Sequence, residues 1–161
     1  MVEWFDDLTI GMTFKSGEAV VSREDIKRFA AEFDPQPFHM DEEAGRNSLF
    51  GGLGASGLHV ASVCMTLLVA CGKQVAAQAA ARGEKVAVWG PSPGFGALRW
   101  IRPVLAGDSI SYSNQVETKR TSGKRPEWGI LQARNTGVNQ RNEVVFSFLA
   151  TAFVPRRNPG S

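Results

Sequence analysis

The sequence is short of several things, and each shortage excludes a class of protein. It has two cysteines in 161 residues, Cys64 and Cys71. Seven residues of helix would separate them by roughly 10 Å along the axis, beyond the reach of a disulfide. Neither has a second Cys or a His at metal-ligand spacing, so no metal site is expected. Both read as buried free thiols, which fits a reducing cytoplasm. Charge of one sign is also scarce: the net charge is +2, too small to argue for nucleic acid or a membrane surface. The start, "MVEWFDDLTIGM", is acidic and has no basic, apolar leader pattern. The most apolar run, "VASVCMTLLVAC" at 60–71, is short of the ~18–20 residues that span a bilayer. "GGLGASG" lacks the lysine and the strand–helix context of a phosphate loop. No repeat or low-complexity segment occurs.

What remains has ordinary globular proportions, with 43% hydrophobic and 21% charged residues. The length predicts one domain, 1–155, with 156–161 as a flexible tail. "SREDIKRFAAEF" (22–33) predicts an amphipathic helix capped by Ser22, with Asp25 completing a capping box. Ile26, Phe29, Ala30 and Phe33 share one face. Asp34-Pro35 ends it, because a residue before proline is pushed out of the α region. "DEEAGRN" (41–47) predicts a short helix capped by Asp41. A third helix opens at Ser56, and Gly72 can close it; the alanine-rich "KQVAAQAAARGE" either extends it or forms a separate helix. It is apolar nearly all round, so other elements must wrap it. Strands are expected at 85–90, 97–104, 108–120, 128–140 and 143–155, with "NQRNE" as a hairpin turn. The simplest way to bury these parts is an α+β arrangement, a curved antiparallel sheet wrapped around the apolar helix.

The chemistry concentrates in "EFDPQPFHMDEEA" (32–44). The prolines fix φ at 35 and 37 and bias Asp34 and Gln36 towards extended backbone. A stiff turn then holds Asp34 and His39 five residues apart. An acid and an imidazole in reach of one water can move a proton on and off it. Gly57 opens the apolar helix, and a helix N-terminus suits a developing oxyanion.

The "DPQPFHMD" (34–41), "FGG" (50–52), "ASG" (55–57) and "RWIRPVLAGDSI" (99–110) segments together resemble the MaoC-like dehydratase family. This hot-dog-fold group includes the (R)-specific enoyl-CoA hydratases. The resemblance spans about residues 6–154. It implies a lyase of fatty-acid metabolism that adds water to a 2-enoyl thioester, enoyl-CoA, or removes it. Asp34 and His39 would hold the water and share the proton transfers, and neither is singled out as the base. The Gly57 amide would bind the thioester carbonyl as it becomes an enolate. No cofactor is implied. The family pairs as homodimers with sites at the interface, and a single sheet would leave an edge to cover.

Two positions depart from the family pattern. Gln36 stands where the family has Asn, and Ser56 where many members have His. Both are expected at the substrate site; both weaken the case for a simple straight-chain enoyl-CoA and are compatible with a different acyl group. Ala61, Ser62 and Met65 on the apolar helix are candidate pocket-lining residues, and His59 reads first as a core or rim histidine and second as a pocket-lining one. Arg99, Arg102, Lys119, Lys124 and Arg125 are candidate partners for the CoA phosphates. A non-catalytic acyl-CoA-binding subunit of the same fold is the alternative. An acyl-CoA thioesterase is disfavoured because residues 57–71 contain no Asp or Glu. The acyl chain, the physiological direction and the choice of CoA or acyl carrier protein stay open.

Overall fold

A computed structural model describes residues 2–157. A 3-10 turn at Phe5–Asp7 precedes strand β1 (Thr13–Val20) and helices α1 (Arg23–Phe33), α2 (Pro37–Met40), α3 (Glu42–Arg46) and α4 (Gly57–Ala81). Strands β2 (Gly94–Trp100), β3 (Ser109–Thr121), β4 (Trp128–Asn139) and β5 (Val144–Pro155) follow. The five strands form one antiparallel sheet in the order β1-β3-β4-β5-β2. With α4 packed on the sheet, this is the α+β hot-dog arrangement expected.

The burial alternation of β4 explains the architecture. Gly129, Leu131, Ala133, Asn135, Gly137 and Asn139 are buried, and the residues between them are not. One face of the sheet therefore points inward, as the two-residue period of a strand requires. From α4, Val60 and Cys64 join Ile110, Tyr112, Phe146 and Phe148 in the main core cluster. Tyr112 is buried, and its hydroxyl donates to the Val60 carbonyl at 3.2 Å. A second cluster at the far end gathers Phe5, Leu8, Val116, Leu131 and Val154.

Four expectations need correction. The segment 85–90 is not a strand. It carries only isolated backbone bonds, Ala87 N to Val2 O and Gly90 N to Phe153 O, both 2.8 Å. Pro91 and Pro93 follow it and cannot donate to a ladder. The fifth strand is instead β1, whose "TFKSGEAV" lacks alternation because a bulge between Lys15 and Gly17 resets the period. The strand expected at 97–104 runs from 94 to 100, bulged between Gly96 and Arg99. Of the readings for the end of the central helix, the stop at Gly72 fails and the extension holds, through the alanine-rich stretch to Ala81.

The fourth correction concerns wrapping. At 25 residues and a mean hydropathy of 1.6, α4 is long and apolar enough to cross a membrane by length and composition alone. It lies against the sheet, yet Leu58, Met65 and Val69 on one face stay exposed. That face borders a cavity of about 820 Å³ between α4, the concave sheet and the 86–95 segment.

The beginning of the expected tail is anchored. The Arg157 backbone N–H donates to Asp6 at 2.7 Å, and its guanidinium pairs with Asp7 at 2.5 Å. Arg156 donates to the Pro126 carbonyl at 3.1 Å. Positions 158–161 lie outside the described residues. Cys64 is buried and Cys71 half-buried, and both are free thiols.

Candidate active site

Helix α1 delivers Asp34. Ser22 caps its start by accepting from the Asp25 N–H at 3.0 Å. Asp34 caps its end, with its own N–H donating to Ala30 at 2.9 Å. Pro35 then forbids continuation. Gln36 is extended, as expected, at φ −78° and ψ 143°. The next residues are tighter than a plain turn. Pro37 occupies the first position of the single-turn helix α2, where its missing N–H costs nothing. The His39 N–H donates to Gln36 O at 2.9 Å. Asp41 then caps α3 by accepting from the Ala44 N–H at 2.8 Å.

His39 is buried, with its ring edge-on to Phe38 at 4.6 Å and tilted against Phe50 at 5.5 Å. Its Nδ1 lies 2.7 Å from the Gly54 carbonyl. A carbonyl only accepts, so Nδ1 carries a proton, and in the neutral form of the ring Nε2 is the nitrogen that presents a lone pair. Gly54 must be glycine, because a Cβ there would stand 2.8 Å from the Phe50 ring. His39 Nε2 lies 3.4 Å from Asp34 Oδ2, longer than the ~2.7–2.9 Å of a charge-assisted hydrogen bond. The pair thus offers two acceptors side by side, enough for one water to donate a hydrogen to each.

Asp34 is held in its charged form. Gln36 Nε2 donates to its Oδ1 at 2.7 Å. That bond, followed by the nearby Ser56 hydroxyl and then by His39, keeps its carboxyl below the ordinary 3.8. The longer amide at position 36 therefore reaches back to the acid rather than merely displacing the loop. A depressed carboxyl favours the folded state above its ordinary pKa, and this contribution fades as pH falls through the folded value.

Ser56 corrects another expectation. It occupies the N-cap of α4, but its side chain makes no capping bond. Its Oγ is buried without a hydrogen bond of regular geometry among the described residues, while lying close enough to Asp34 to make it more acidic. Proximity with imperfect alignment accounts for both observations.

Gly57 opens α4, so its N–H belongs to the first turn that the helix cannot pair internally. A cavity of about 540 Å³ gathers Asp34, Gln36, His39, Ser56 and Gly57 with Phe38, Phe50, Trp100, Ile101 and Arg102. Trp100 was not foreseen. It comes from edge strand β2 and presses its indole against Gly57, and no short-range pattern links positions 43 residues apart. Leu58 lines both this cavity and the larger one, so the two are neighbours.

The remaining candidates divide. Ala61 and Met65 line the larger cavity. Ser62 and His59 line neither. Ser62 sits on the exposed side of α4 and donates to Leu58 O at 2.8 Å. His59 faces α1, stacked on Phe29 at 4.9 Å and 13°. Its Nδ1 is buried without a partner among the described residues, and burial lowers its pKa from 6.5. A base that is harder to protonate when folded gives stability that is complete above the unfolded pKa and declines as pH falls through it. We therefore expect His59→Phe to flatten the pH dependence of thermal stability around and below ~6.5. It should raise stability by roughly 0–1 kcal/mol by removing an orphaned polar atom and leave turnover unchanged. Thermal melts across pH, beside one activity assay, check all three.

Among the phosphate-binding candidates, Arg102 lines the dyad cavity and also pairs with Glu143 at 3.6 Å. Lys119 is committed elsewhere: it donates to the Phe5 and Leu8 carbonyls at 2.7 and 2.6 Å and lies over the Phe5 ring. Arg99, Lys124 and Arg125 are exposed outside both cavities. No cluster of three or more metal-binding side chains occurs among the described residues.

Similarity to known proteins follows the same lines. A family profile described as MaoC like domain matches residues 7–129. A crystal structure of the MaoC-like dehydratase from Rhodospirillum rubrum is 37% identical, with a TM-score of 0.79 over 96% of this chain and 98% of that one. An uncharacterised protein of Bacillus subtilis, YdeM, is 31% identical over 151 residues, 94% of this chain and 98% of its own length. The R-hydratase PhaJ1 from Pseudomonas aeruginosa shares the fold at 20% identity, with a TM-score of 0.66 over 97% of this chain and 88% of that one. Profile, sequence relatives and fold agree, and the chain belongs to the MaoC-like dehydratase family.

Proposed function

We propose that this protein is a hydro-lyase that adds water across the double bond of a 2-enoyl-CoA thioester, or removes it in reverse. The observation that carries the reading is the buried His39, whose Nδ1 is fixed on the Gly54 carbonyl and whose Nε2 lies 3.4 Å from Asp34. A water held by both acceptors loses a proton to Nε2, since imidazole is a stronger base than a depressed carboxylate. The hydroxide oxygen bonds to Cβ of the substrate. The π electrons move towards the thioester, whose oxygen gains charge facing the Gly57 N–H. The enolate collapses, and Cα takes the proton from Nε2. Water is consumed and His39 returns neutral. Asp34 stays a carboxylate throughout, orienting the water and stabilising the transient imidazolium.

The acyl chain runs past Leu58 into the larger cavity, whose lining is mainly apolar. Arg102 at the dyad cavity receives a CoA phosphate. A second copy of the chain pairs along β2, the exposed sheet edge that carries Phe95 and Trp100. The free thiols fit a cytoplasmic setting.

The test is loss of enoyl-thioester absorbance when the purified protein meets a panel of trans-2-enoyl-CoA substrates. Decay is expected for at least one member. A flat trace across the panel, with acyl-CoA co-purifying in the mass spectrum, would favour a binding-only subunit instead.

A further inference from the structure

The large cavity has one feature that an apolar chain does not explain. Most of its lining is aliphatic or aromatic, including Leu58, Met65, Leu131, Phe146 and Phe148. Among its polar members, Lys73 and Ser92 are exposed and Thr151 is half-buried. Asn135 alone is buried, at 3% exposure. It sits on the inward face of β4, flanked in register by Asn114 on β3 and Phe148 on β5.

The hydrogen bonding of this asparagine pair is incomplete. Asn135 Nδ2 reaches only the Ala133 carbonyl, at 3.3 Å. Asn114 is 1% exposed, its Nδ2 meets Ser16 Oγ at 3.4 Å, and its Oδ1 has no partner among the described residues. Leaving buried amides underused is unfavourable, and leucine would fill the same space without that cost. Asn114 lines neither cavity, so only Asn135 can meet a ligand. A dry acyl chain over Asn135 would leave its amide underused, and an oxygen on that chain would complete its bonding.

We propose that the acyl chain accepted here carries a hydroxyl on its distal part, recognised by Asn135 on the wall of the large cavity. This rests on the enoyl-CoA reading above. A hydroxyl matches an amide in both senses, since it can accept from Nδ2 and donate to Oδ1. A carboxylate fits worse, because among the described residues the only cationic group lining the cavity is the exposed Lys73.

The experiment measures binding on the Asp34→Asn protein, so that turnover does not intervene. Calorimetric titrations compare matched medium-chain 2-enoyl-CoA thioesters ending in methyl, hydroxyl or carboxylate. Varying the length walks the terminal oxygen along the cavity. At one length the hydroxyl form should bind about tenfold tighter than the methyl form. Adding Asn135→Leu should reverse that order. Equal binding of methyl and hydroxyl forms at every length overturns the proposal, as does a preference for the carboxylate or a hydroxyl preference that survives Asn135→Leu. If the leucine variant does not fold, the ratios on the parent protein decide alone. Turnover of a short enoyl-CoA by the wild type is read separately, so failure of the hydratase reading is told apart from failure at Asn135.

Discussion

Asp34→Asn will leave a folded protein that hydrates enoyl-CoA about 10²–10⁴-fold more slowly, the usual span for a positioned acid–base group. Asparagine keeps the shape but replaces one acceptor with an amide donor. The water then loses one of its two holds, and the imidazolium loses the countercharge 3.4 Å away. His39→Gln should fall at least as far, because in the proposed mechanism Nε2 carries the proton itself. The double variant should be little worse than either single one, since residues acting on one water behave as a unit. Stability at neutral pH should fall only modestly for Asp34→Asn: the charged carboxylate held by Gln36 favours the folded state, but its side chain is part-exposed, at 23%. Initial rates under saturating substrate, with circular dichroism and a thermal melt beside them, make the comparison. A variant within a few-fold of the wild-type rate would remove Asp34 from the mechanism.

Most of the dyad was legible because its constraints are local. Pro35 and Pro37 act on their own neighbours, and the acid–imidazole spacing is five residues. The capping of α1 by Ser22 and the hairpin turn after Asn139 were legible for the same reason. What stayed hidden depends on contacts distant in sequence. Strand β1 was missed because a bulge broke its alternation, and the apolar segment 85–90 misled because a strand also needs a partner edge. The end of α4 stayed open between Gly72 and the alanine-rich stretch, because one glycine's weak propensity to stop a helix is set against a long alanine-rich continuation. The core reading of His59 agrees with its buried place, but its partner Phe29, on another helix, had no sign in the sequence. Trp100 and the Gly54 carbonyl reach the site from other segments, the first across the sheet edge and the second across a loop. Sequence reasoning could name the candidate side chains Asp34 and His39, but not the surfaces that aim them.

Trp100 supplies the other large effect. A Cβ added to Gly57 would stand 2.2 Å from the indole Cε2 and Nε1 atoms, a distance no real contact tolerates. Two effects then oppose each other in Gly57→Ala. Alanine favours a helix over glycine by up to about 1 kcal/mol, whereas overpacking costs about 1–3 kcal/mol. The clash wins, and the variant should be less stable than the wild type. Activity should fall further than stability, because moving the helix start shifts the N–H proposed to meet the enolate, and losing such a donor costs about 10²–10³ in kcat. Trp100→Ala separates the two. In that background Gly57→Ala should become neutral or stabilising, which gives a coupling of opposite sign to the single-variant loss. If the amide recovers its place, kcat should recover part of the way as well. Thermal melts and kcat for the four proteins of this cycle decide it. A Gly57→Ala protein as stable and as active as wild type would mean that the indole does not rest on the helix start and that the first-turn amide has no part in catalysis.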